Sequence, residues 1–299
     1  MKRTTWIWLF LGVIWGSSWL FIKLGLETVP PFTLAGIRFL LAAVVMWAYL
    51  AVRRLHFRHS RRDWVLMIGT GLLTFGVDYG LVFWGESHIS AGLTSILFST
   101  MPLFVLLLAH FVIPAERMTR LKLVGILVGI GGVAMIFSHQ IQGADSLAAW
   151  GSAAVLVAAA LEAIASVLIR KLGGHLDPAV LTTVQMSVGF VPLLVIGLIF
   201  EGSPFGSQWT PMAWTSLLYM AIVGSAIGFA LLYWLLKRIG AVSCGLLIPY
   251  STFVAVLLGI AVLNEGFSWH TAVGGLLVIL GLVATSRRSV PASQPLTTD

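Results

Sequence analysis

The sequence has little charge and almost no cysteine, and both shortages restrict the class of protein. Only 10% of its 299 residues are charged, whereas a water-soluble domain has about 25%. Hydrophobic residues make up 59% of the chain and the mean hydropathy is +0.99, so we interpret the chain as a membrane protein. The single cysteine, Cys244, lies inside an apolar run, which excludes a disulfide framework and a cysteine-based metal site.

Positive charge exceeds negative charge, but it does not form a basic patch. The formal net charge is +7, and the basic residues are dispersed in short clusters between apolar runs, which indicates membrane topology and not a nucleic-acid partner. Lys2 and Arg3 precede an apolar run of roughly 20 residues, which is too long for the apolar region of a cleavable signal peptide. We therefore expect this run to be a retained first span.

The apolar residues form ten runs separated by short polar breaks or by breaks marked with glycine and proline. A bilayer core of about 30 Å needs roughly 20 apolar residues per helix. The sequence therefore predicts an all-α membrane protein with ten transmembrane helices. The expected spans are residues 6–26, 32–52, 64–84, 91–112, 121–138, 148–169, 179–200, 212–236, 242–263 and 270–286.

The lysine and arginine residues between these spans all fall on one side of the ten-span arrangement. Because such residues are enriched in cytoplasmic loops, we predict a multi-pass protein of the plasma (inner) membrane with cytoplasmic N- and C-termini. The residues are Lys2, Arg3, Arg53, Arg54, Arg58, Arg61, Arg62, Arg117, Arg120, Lys122, Arg170, Lys171, Lys237, Arg238, Arg287 and Arg288. The opposite loops are expected to carry Glu27, Glu86, Asp145, Glu201 and Glu265.

The second half of the chain repeats the first. The register rests on Trp84 with Trp234, Ala91 with Ala241, Glu116 with Glu265, Pro31 with Pro178, and the polar Arg38 with the polar Gln185. We assign residues 1–138 to a first five-helix repeat and 148–286 to a second, and expect the polar tail 287–299 to be disordered. Since five is odd, the second repeat is inverted relative to the first. Inverted repeats place a binding site near the membrane midplane and indicate alternating access.

Several short motifs occur in an order that is typical of one family of carriers. They are Trp15-Gly16-Ser17-Ser18, Lys23, Pro30-Pro31, Arg38-Phe39, the run Thr100-Met101-Pro102-Leu103-Phe104, and a glutamate that closes the fourth and ninth runs. Over about residues 6–286, the chain resembles the EamA-type branch of the drug/metabolite transporter (DMT) superfamily. The resemblance implies a ten-helix carrier that exports amino acids or other small metabolites, as the YddG-type exporters of aromatic and neutral amino acids do.

Ionisable residues inside the predicted spans are costly in lipid unless they face protein or water. Arg38 and Asp78 both lie about 9 to 11 Å inside the outer boundary at 1.5 Å per residue, so we predict that they pair. The pair is either structural or acts as a gate or as a site for a substrate carboxylate. Lys23 lies near the outer end of the first helix, where a long side chain can extend to the interface. Lys23, Arg38 and Asp78 together form the candidate gate.

Glu162 lies close to the midplane, without a basic residue at its depth. It replaces Trp15 in the register of the second repeat, and suits a proton carrier or a ligand for a substrate ammonium group; the alternative is a hydrogen-bonded core residue. Apolar walls with a few polar groups suit an amphipathic metabolite. The candidate substrate-binding residues are Trp15, Ser18, Asp78, Tyr79, Glu162, Gln185, Tyr233 and Tyr250.

A secondary transporter is the leading hypothesis, and an intramembrane enzyme or a channel or facilitator for small solutes is the alternative. An enzyme would need a nucleophile with a base, or a metal set such as His-Glu-x-x-His, and neither pattern occurs. Two diverged halves favour a carrier over a symmetric pore. We expect a small-molecule substrate and membrane lipids as partners, and neither a cofactor nor a metal. The spacing Gly125-x-x-x-Gly129 indicates close helix packing, within a monomer or, less often, in a weak dimer.

Overall fold

The computed structural model describes residues 2–54, 59–113, 118–142 and 146–286, and these form a bundle of long apolar helices. Eight of the described helices are long and apolar enough to cross a membrane, and two shorter apolar helices complete the set. The prediction of a ten-helix membrane protein is therefore confirmed. The helices are α1 Lys2–Leu26, α2 Pro31–Arg53, α3 Arg61–His88, α4 Ala91–Val112, α5 Arg120–Gln142, α6 Ser146–Leu172, α7 Pro178–Phe200, α8 residues 211–245, α9 Leu247–Leu263 and α10 Trp269–Ser286. The tail 287–299 lies outside the described residues.

Local sequence explains where several helices begin. Pro31 and Pro178 stand at the first position of α2 and α7, and Pro211 at the first position of α8. Proline suits this position because its fixed φ is already helical and its missing N–H needs no partner. Ser60 begins α3 through a capping box with Asp63. The predicted repeat register pairs Pro31 with Pro178, so it also pairs the starts of α2 and α7.

Two of the helices are interrupted at corresponding positions. The π-helical segment Leu72–Asp78 lies inside α3, and the segment Tyr219–Ile227 lies inside α8. Such segments change the angular position of the side chains that follow, and they are frequent at functional sites. The helix Gly228–Gly245 also continues beyond the predicted end of the eighth span at residue 236, and α9 begins at Leu247 and not at residue 242.

The α5 and α10 helices pack directly against each other through glycines. A Cβ atom built on Gly125 would lie 2.6 Å from the carbonyl oxygen of Gly281, and one built on Gly274 would lie 2.6 Å from that of Gly132. The two backbones can approach this closely because neither helix carries a side chain at these points. Gly125 and Gly132 of α5 therefore serve packing within the chain.

We refer to the two ends of the bundle by the chain segments they hold. The terminal face holds Lys2 and Ser286, the first residue of α1 and the last of α10. The far face holds the α1–α2 and α3–α4 connections. Large apolar side chains such as Trp6, Phe111 and Phe200 are exposed on the outside of the bundle, as expected for surfaces that face lipid.

Candidate functional site

A central cavity of about 450 Å³ lies between the two repeats. Aromatic rings from both repeats form much of its wall, namely Trp15, Trp19, Phe75, Tyr79, Phe98 and Phe229. Polar side chains are set among them, namely Ser18, Arg38, Thr74, Asp78, Ser95, Ser99, Glu162, Thr182, Gln185, Ser251 and Thr252. The volume is within the range of about 300 to 1,000 Å³ that is usual for small-molecule sites.

Five of the predicted substrate-binding residues from the first repeat and α6 come together in this cavity, and Gln185 joins them from α7. The amide of Gln185 donates to Thr70 Oγ1 at 2.8 Å. Trp15 Nε1 donates to the carbonyl oxygen of Gly224 at 3.3 Å, and Ser18 Oγ donates to that of Ile14 at 2.8 Å. These side chains are therefore fixed in the cavity wall by bonds to backbone and to neighbouring helices.

Glu162 is held at the cavity by two hydroxyl groups. Thr74 Oγ1, in the π-helical segment of α3, donates to Glu162 Oε2 at 2.7 Å, and Ser166 Oγ donates to Oε1 at 3.2 Å. No basic side chain bonds to this carboxyl group among the described residues. The carboxyl group thus keeps capacity to accept a hydrogen bond from a cationic group in the cavity.

Asp78, at the end of the same π-helical segment, presents a second carboxyl group. Its side chain is 0% exposed, and within the described residues neither oxygen has a hydrogen-bond partner. Asp78 lines the cavity and interacts electrostatically with Glu162. Because two nearby carboxylates repel each other, a cation placed near both would be attracted by both.

The predicted ion pair between Arg38 and Asp78 is wrong for this conformation. The guanidinium carbon Cζ of Arg38 lies 5.0, 5.2 and 5.7 Å from the ring centroids of Phe39, Tyr79 and Phe83, an arrangement that favours the cation. Its Nη2 donates to Ser225 Oγ at 3.5 Å, and Nη1 lies 3.8 Å from Met220 Sδ.

The similar depth of Arg38 and Asp78 in the membrane could not exclude the pair, because the side of the helix on which Asp78 lies depends on the π-helical segment. The carboxyl group that interacts electrostatically with Arg38 is that of Glu86, further along α3. Arg38 also faces the cavity, and its Nε has no hydrogen-bond partner within the described part of the chain. It therefore has an unused donor beside the cavity.

Lys23 is part of a contact at the far face and is not bonded to Arg38 or Asp78. Its Nζ donates to the backbone oxygens of Glu86 and Ile89, each at 2.7 Å. These carbonyls belong to the end of α3 and the short connection to α4. Lys23 therefore links α1 to the α3–α4 connection at the far face of the bundle.

Two acidic residues that the sequence placed in loops lie there, and they cap helices at the far face. Glu265 accepts hydrogen bonds from the N–H groups of Ala91 at 2.7 Å and Gly92 at 3.0 Å, at the start of α4. Glu201 accepts from the backbone of Phe32 and Thr33 at 2.9 and 2.8 Å, at the start of α2. The carboxylates satisfy N–H groups that have no partner inside their helix.

Of the two tyrosines predicted to bind substrate in the second repeat, one lies away from the cavity and the other stays a prediction. Tyr250 lies outside the cavity lining and stacks on Trp8 with ring centroids 5.1 Å apart. The side chain of Tyr233 lies outside the described residues. Tyr79 does line the cavity, and it packs edge-on against Phe39 at 4.7 Å. Sequence reasoning missed Phe98, Phe229 and Thr182, since apolar and hydroxyl residues of a membrane helix look alike whether they face lipid, protein or a cavity.

Comparison with known proteins fits this architecture. The sequence matches the EamA-like transporter family twice, over residues 4–138 and over residues 149–287. The chain belongs to the EamA-like transporter family. It is 30% identical over 283 residues to the uncharacterized transporter YoaV of Bacillus subtilis (strain 168), with 93% of this chain and 96% of that protein covered.

Other relatives of this EamA-family protein are also transporters by name. It is 27% identical over 292 residues to the uncharacterized inner membrane transporter YedA of Escherichia coli (strain K12), covering 94% of this chain and 90% of that protein. A solved crystal structure with 21% identity superimposes with a TM-score of 0.66 and covers 96% of this chain and 99% of that one, which shows a shared fold. The chain is therefore a multi-pass membrane protein of a family that transports small solutes.

Proposed function

We propose that this EamA-family protein is a secondary transporter that exports amino acids with apolar or aromatic side chains. The observation that carries the proposal is the set of unused polar groups around the cavity. As far as the described residues show, Arg38 contributes an Nε without a partner, Asp78 contributes two carboxyl oxygens without partners, and Glu162 adds a carboxyl group held only by hydroxyls. A zwitterionic amino acid carries the two complementary charges.

The rest of the cavity suits the apolar part of such a substrate. The α-carboxylate would bind Arg38, because a guanidinium matches a carboxylate in charge and in geometry. The α-ammonium would bind Asp78 and Glu162, and the rings of Trp15, Phe75 and others would cover the side chain. A cation beside an indole gains a further ~0.5 to 2 kcal/mol.

Alternating access is the mechanism that we infer for this site. The cavity wall extends toward the terminal face as far as Ile169 and Leu181, near the ends of α6 and α7. We infer that the contacts of Lys23 with the α3–α4 connection close the far end. Transport requires a second conformation in which the Lys23 contacts break. With the terminal face in the cytoplasm and the far face outside, as the one-sided basic residues indicate, loading from the terminal face corresponds to export across the inner membrane.

Counterflow in proteoliposomes tests this function directly. Purified protein is reconstituted, loaded with unlabelled L-phenylalanine, L-leucine or L-aspartate, and assayed for uptake of labelled L-phenylalanine. We expect exchange with the two apolar amino acids and little with L-aspartate, whose additional carboxylate would meet Asp78 and Glu162. Absence of exchange with any amino acid of a full panel would contradict the proposed substrate class.

Substrate analogues separate the contributions of the charged groups. Phenylpropionate lacks the ammonium group and phenethylamine lacks the carboxylate, so both should compete with L-phenylalanine only weakly. The variant Arg38→Gln should lower the affinity for L-phenylalanine and leave the affinity for phenethylamine nearly unchanged. Equal effects of Arg38→Gln on both compounds would show that Arg38 does not bind the carboxylate.

A further inference from the structure

A carboxyl group outside the cavity, that of Glu86, has no assigned function. It lies in the last part of α3, is 0% exposed and is absent from the cavity lining. Within the described residues, neither of its oxygens has a hydrogen-bond partner. An ionised carboxylate without a partner is far more costly to bury than a neutral carboxylic acid.

Charged groups reach Glu86 from several helices, but within the described residues none of them bonds to its carboxyl group. Lys23 approaches from α1, Arg38 from α2 and Glu265 from the segment after α9. The ammonium of Lys23 is bonded to backbone oxygens, the guanidinium of Arg38 lies over aromatic rings, and the carboxylate of Glu265 caps α4. The two cations favour an ionised Glu86, whereas burial and Glu265 oppose it.

Within the described residues, α6 and the first segment of α4 pack at this point and add no titratable group. The α6 helix meets α3 here through Gly151 and Val155, which lie against Gly85. The first segment of α4, Ala91–Phe98, contains no ionisable side chain. The charge state of Glu86 therefore depends on Lys23, Arg38 and Glu265, and Lys23 is the group that also closes the far end.

We propose that Glu86 is a proton-binding site, and that it takes up one proton as the far end closes. In the far-open conformation, the Glu86 carboxylate pairs with the Lys23 ammonium. On closure a proton from the far-face solvent bonds to a carboxyl oxygen of Glu86, and Lys23 transfers its hydrogen bonds to the carbonyl oxygens of Glu86 and Ile89. Opening reverses these steps and releases the proton. The number of protons bound rises by one on closure, and no other covalent bond changes.

This inference rests on the two conformations of the proposed function, and it makes the balance between them depend on the pH at the far face. The proton binds from the far side and returns to it, so it is not carried across the membrane. Acid on the far side would favour the closed form. The site is separate from the cavity, so its protonation can be measured without a substrate, and the failure of amino-acid transport would not affect that measurement.

Infrared spectroscopy of the purified protein tests the protonation itself. The wild type is compared with Glu86→Gln and with Glu27→Gln, which removes an exposed acid that also lies near Lys23. We expect the wild type to show a carboxylic-acid C=O band that is absent from Glu86→Gln and retained in Glu27→Gln. Identical carboxylic-acid bands in the wild type and Glu86→Gln would show that Glu86 is ionised and would overturn the proposal.

A distance measurement tests the link between the proton and the far end. Spin labels are attached to cysteines at Ser87 and Gly266 in a Cys244→Ala background; Ser87 is exposed, and a Cβ at Gly266 meets open space. In the wild type the distance should lengthen as the pH is raised. In Glu86→Gln, whose side chain cannot ionise, it should stay short at every pH. If the distance between the labels in Glu86→Gln lengthens with pH as it does in the wild type, the coupling is refuted.

Discussion

The substitution Glu162→Gln tests the central step of the proposed binding mode. Glutamine keeps the size of the side chain and an oxygen that can accept a hydrogen bond from Thr74 Oγ1. In the wild type, Thr74 Oγ1 lies 2.7 Å from the Glu162 carboxylate. Its amide group faces Ser166 Oγ, which can accept as well as donate. The substitution therefore preserves the local hydrogen bonds and should leave expression and folding intact.

The expected loss follows from the change in charge. A hydrogen bond to a charged group contributes about 1.5 to 3 kcal/mol, and one between neutral groups about 0.5 to 1.5 kcal/mol. The difference of about 1 to 2 kcal/mol corresponds to a roughly 5- to 30-fold weaker affinity for a substrate ammonium. Lowering the pH should weaken wild-type binding, since protonation of Glu162 removes the same attraction, and Glu162→Gln should flatten this dependence.

The effect is measured, at several pH values, as the concentration of labelled L-phenylalanine that gives half-maximal counterflow. Glu27→Gln is the matched control, because it makes the same chemical change on an exposed acid of the far-face connection. Competition by phenylpropionate, which has no ammonium group, should be unchanged by Glu162→Gln. If Glu162→Gln retains wild-type affinity and pH dependence, Glu162 is a structural residue and this binding mode is refuted.

Two further predictions concern packing and topology. Gly125→Val should lower the unfolding temperature and destabilise the folded protein by about 1 to 3 kcal/mol, since its Cβ would lie 2.6 Å from the Gly281 oxygen. Gly131→Ala, where the Cβ meets open space, is the control. Equal melting temperatures of the wild type and both variants would contradict tight α5–α10 packing. A reporter enzyme fused after Arg288 should be active in the cytoplasm, because the basic residues lie on the terminal side, and activity only in the periplasm would reverse the orientation.

The sequence predicted well how deep a residue lies along its helix, and poorly which side of the helix it faces. The positions of ten helices follow from run length, and the depth of Glu162 and Asp78 follows from their distance along a helix, at about 1.5 Å per residue. Both do line the cavity. Which side of a helix a residue faces needs the angular register, and the π-helical segment Leu72–Asp78 changes it. For this reason Arg38 and Asp78 share a depth without forming a pair.

The acidic residues of the far face show a second limit. Hydropathy ended the third span at residue 84, so Glu86 was placed in a loop, but α3 continues to His88 and buries it. Glu201 and Glu265 do follow helices, as expected, yet each caps a helix of the other repeat. Such contacts join residues about 170 positions apart, and an unaligned single sequence contains no signal for them.

In the repeat register, one of these caps, that of Glu201, has no acidic counterpart on the terminal face, whereas Glu116, the counterpart of Glu265, lies outside the described residues. At the far face, two carboxylates of the second repeat hold the starts of α2 and α4 in the first. In the repeat register the counterpart of Glu201 on the terminal face is Arg54, which adopts a left-handed conformation with φ of 51° and cannot accept a hydrogen bond with its side chain. The described contacts therefore favour a conformation that is closed at the far face.

Removing a cap should shift that balance toward the far-open form. Glu265→Ala removes the side chain that accepts from Ala91 and Gly92, and loss of a helix cap costs about 0.5 to 2 kcal/mol. Part of this cost is specific to the closed form, where the carboxylate and α4 meet. Because about 1.4 kcal/mol is a tenfold change in an equilibrium constant, the far-open population should rise several-fold. The distance between spin labels at Ser87 and Gly266 measures it, with Glu27→Ala as the control. An unchanged distance distribution in Glu265→Ala would mean that the Glu265 cap contributes equally to both conformations, and the preference for closure would then have to arise from Lys23 and the Glu201 cap.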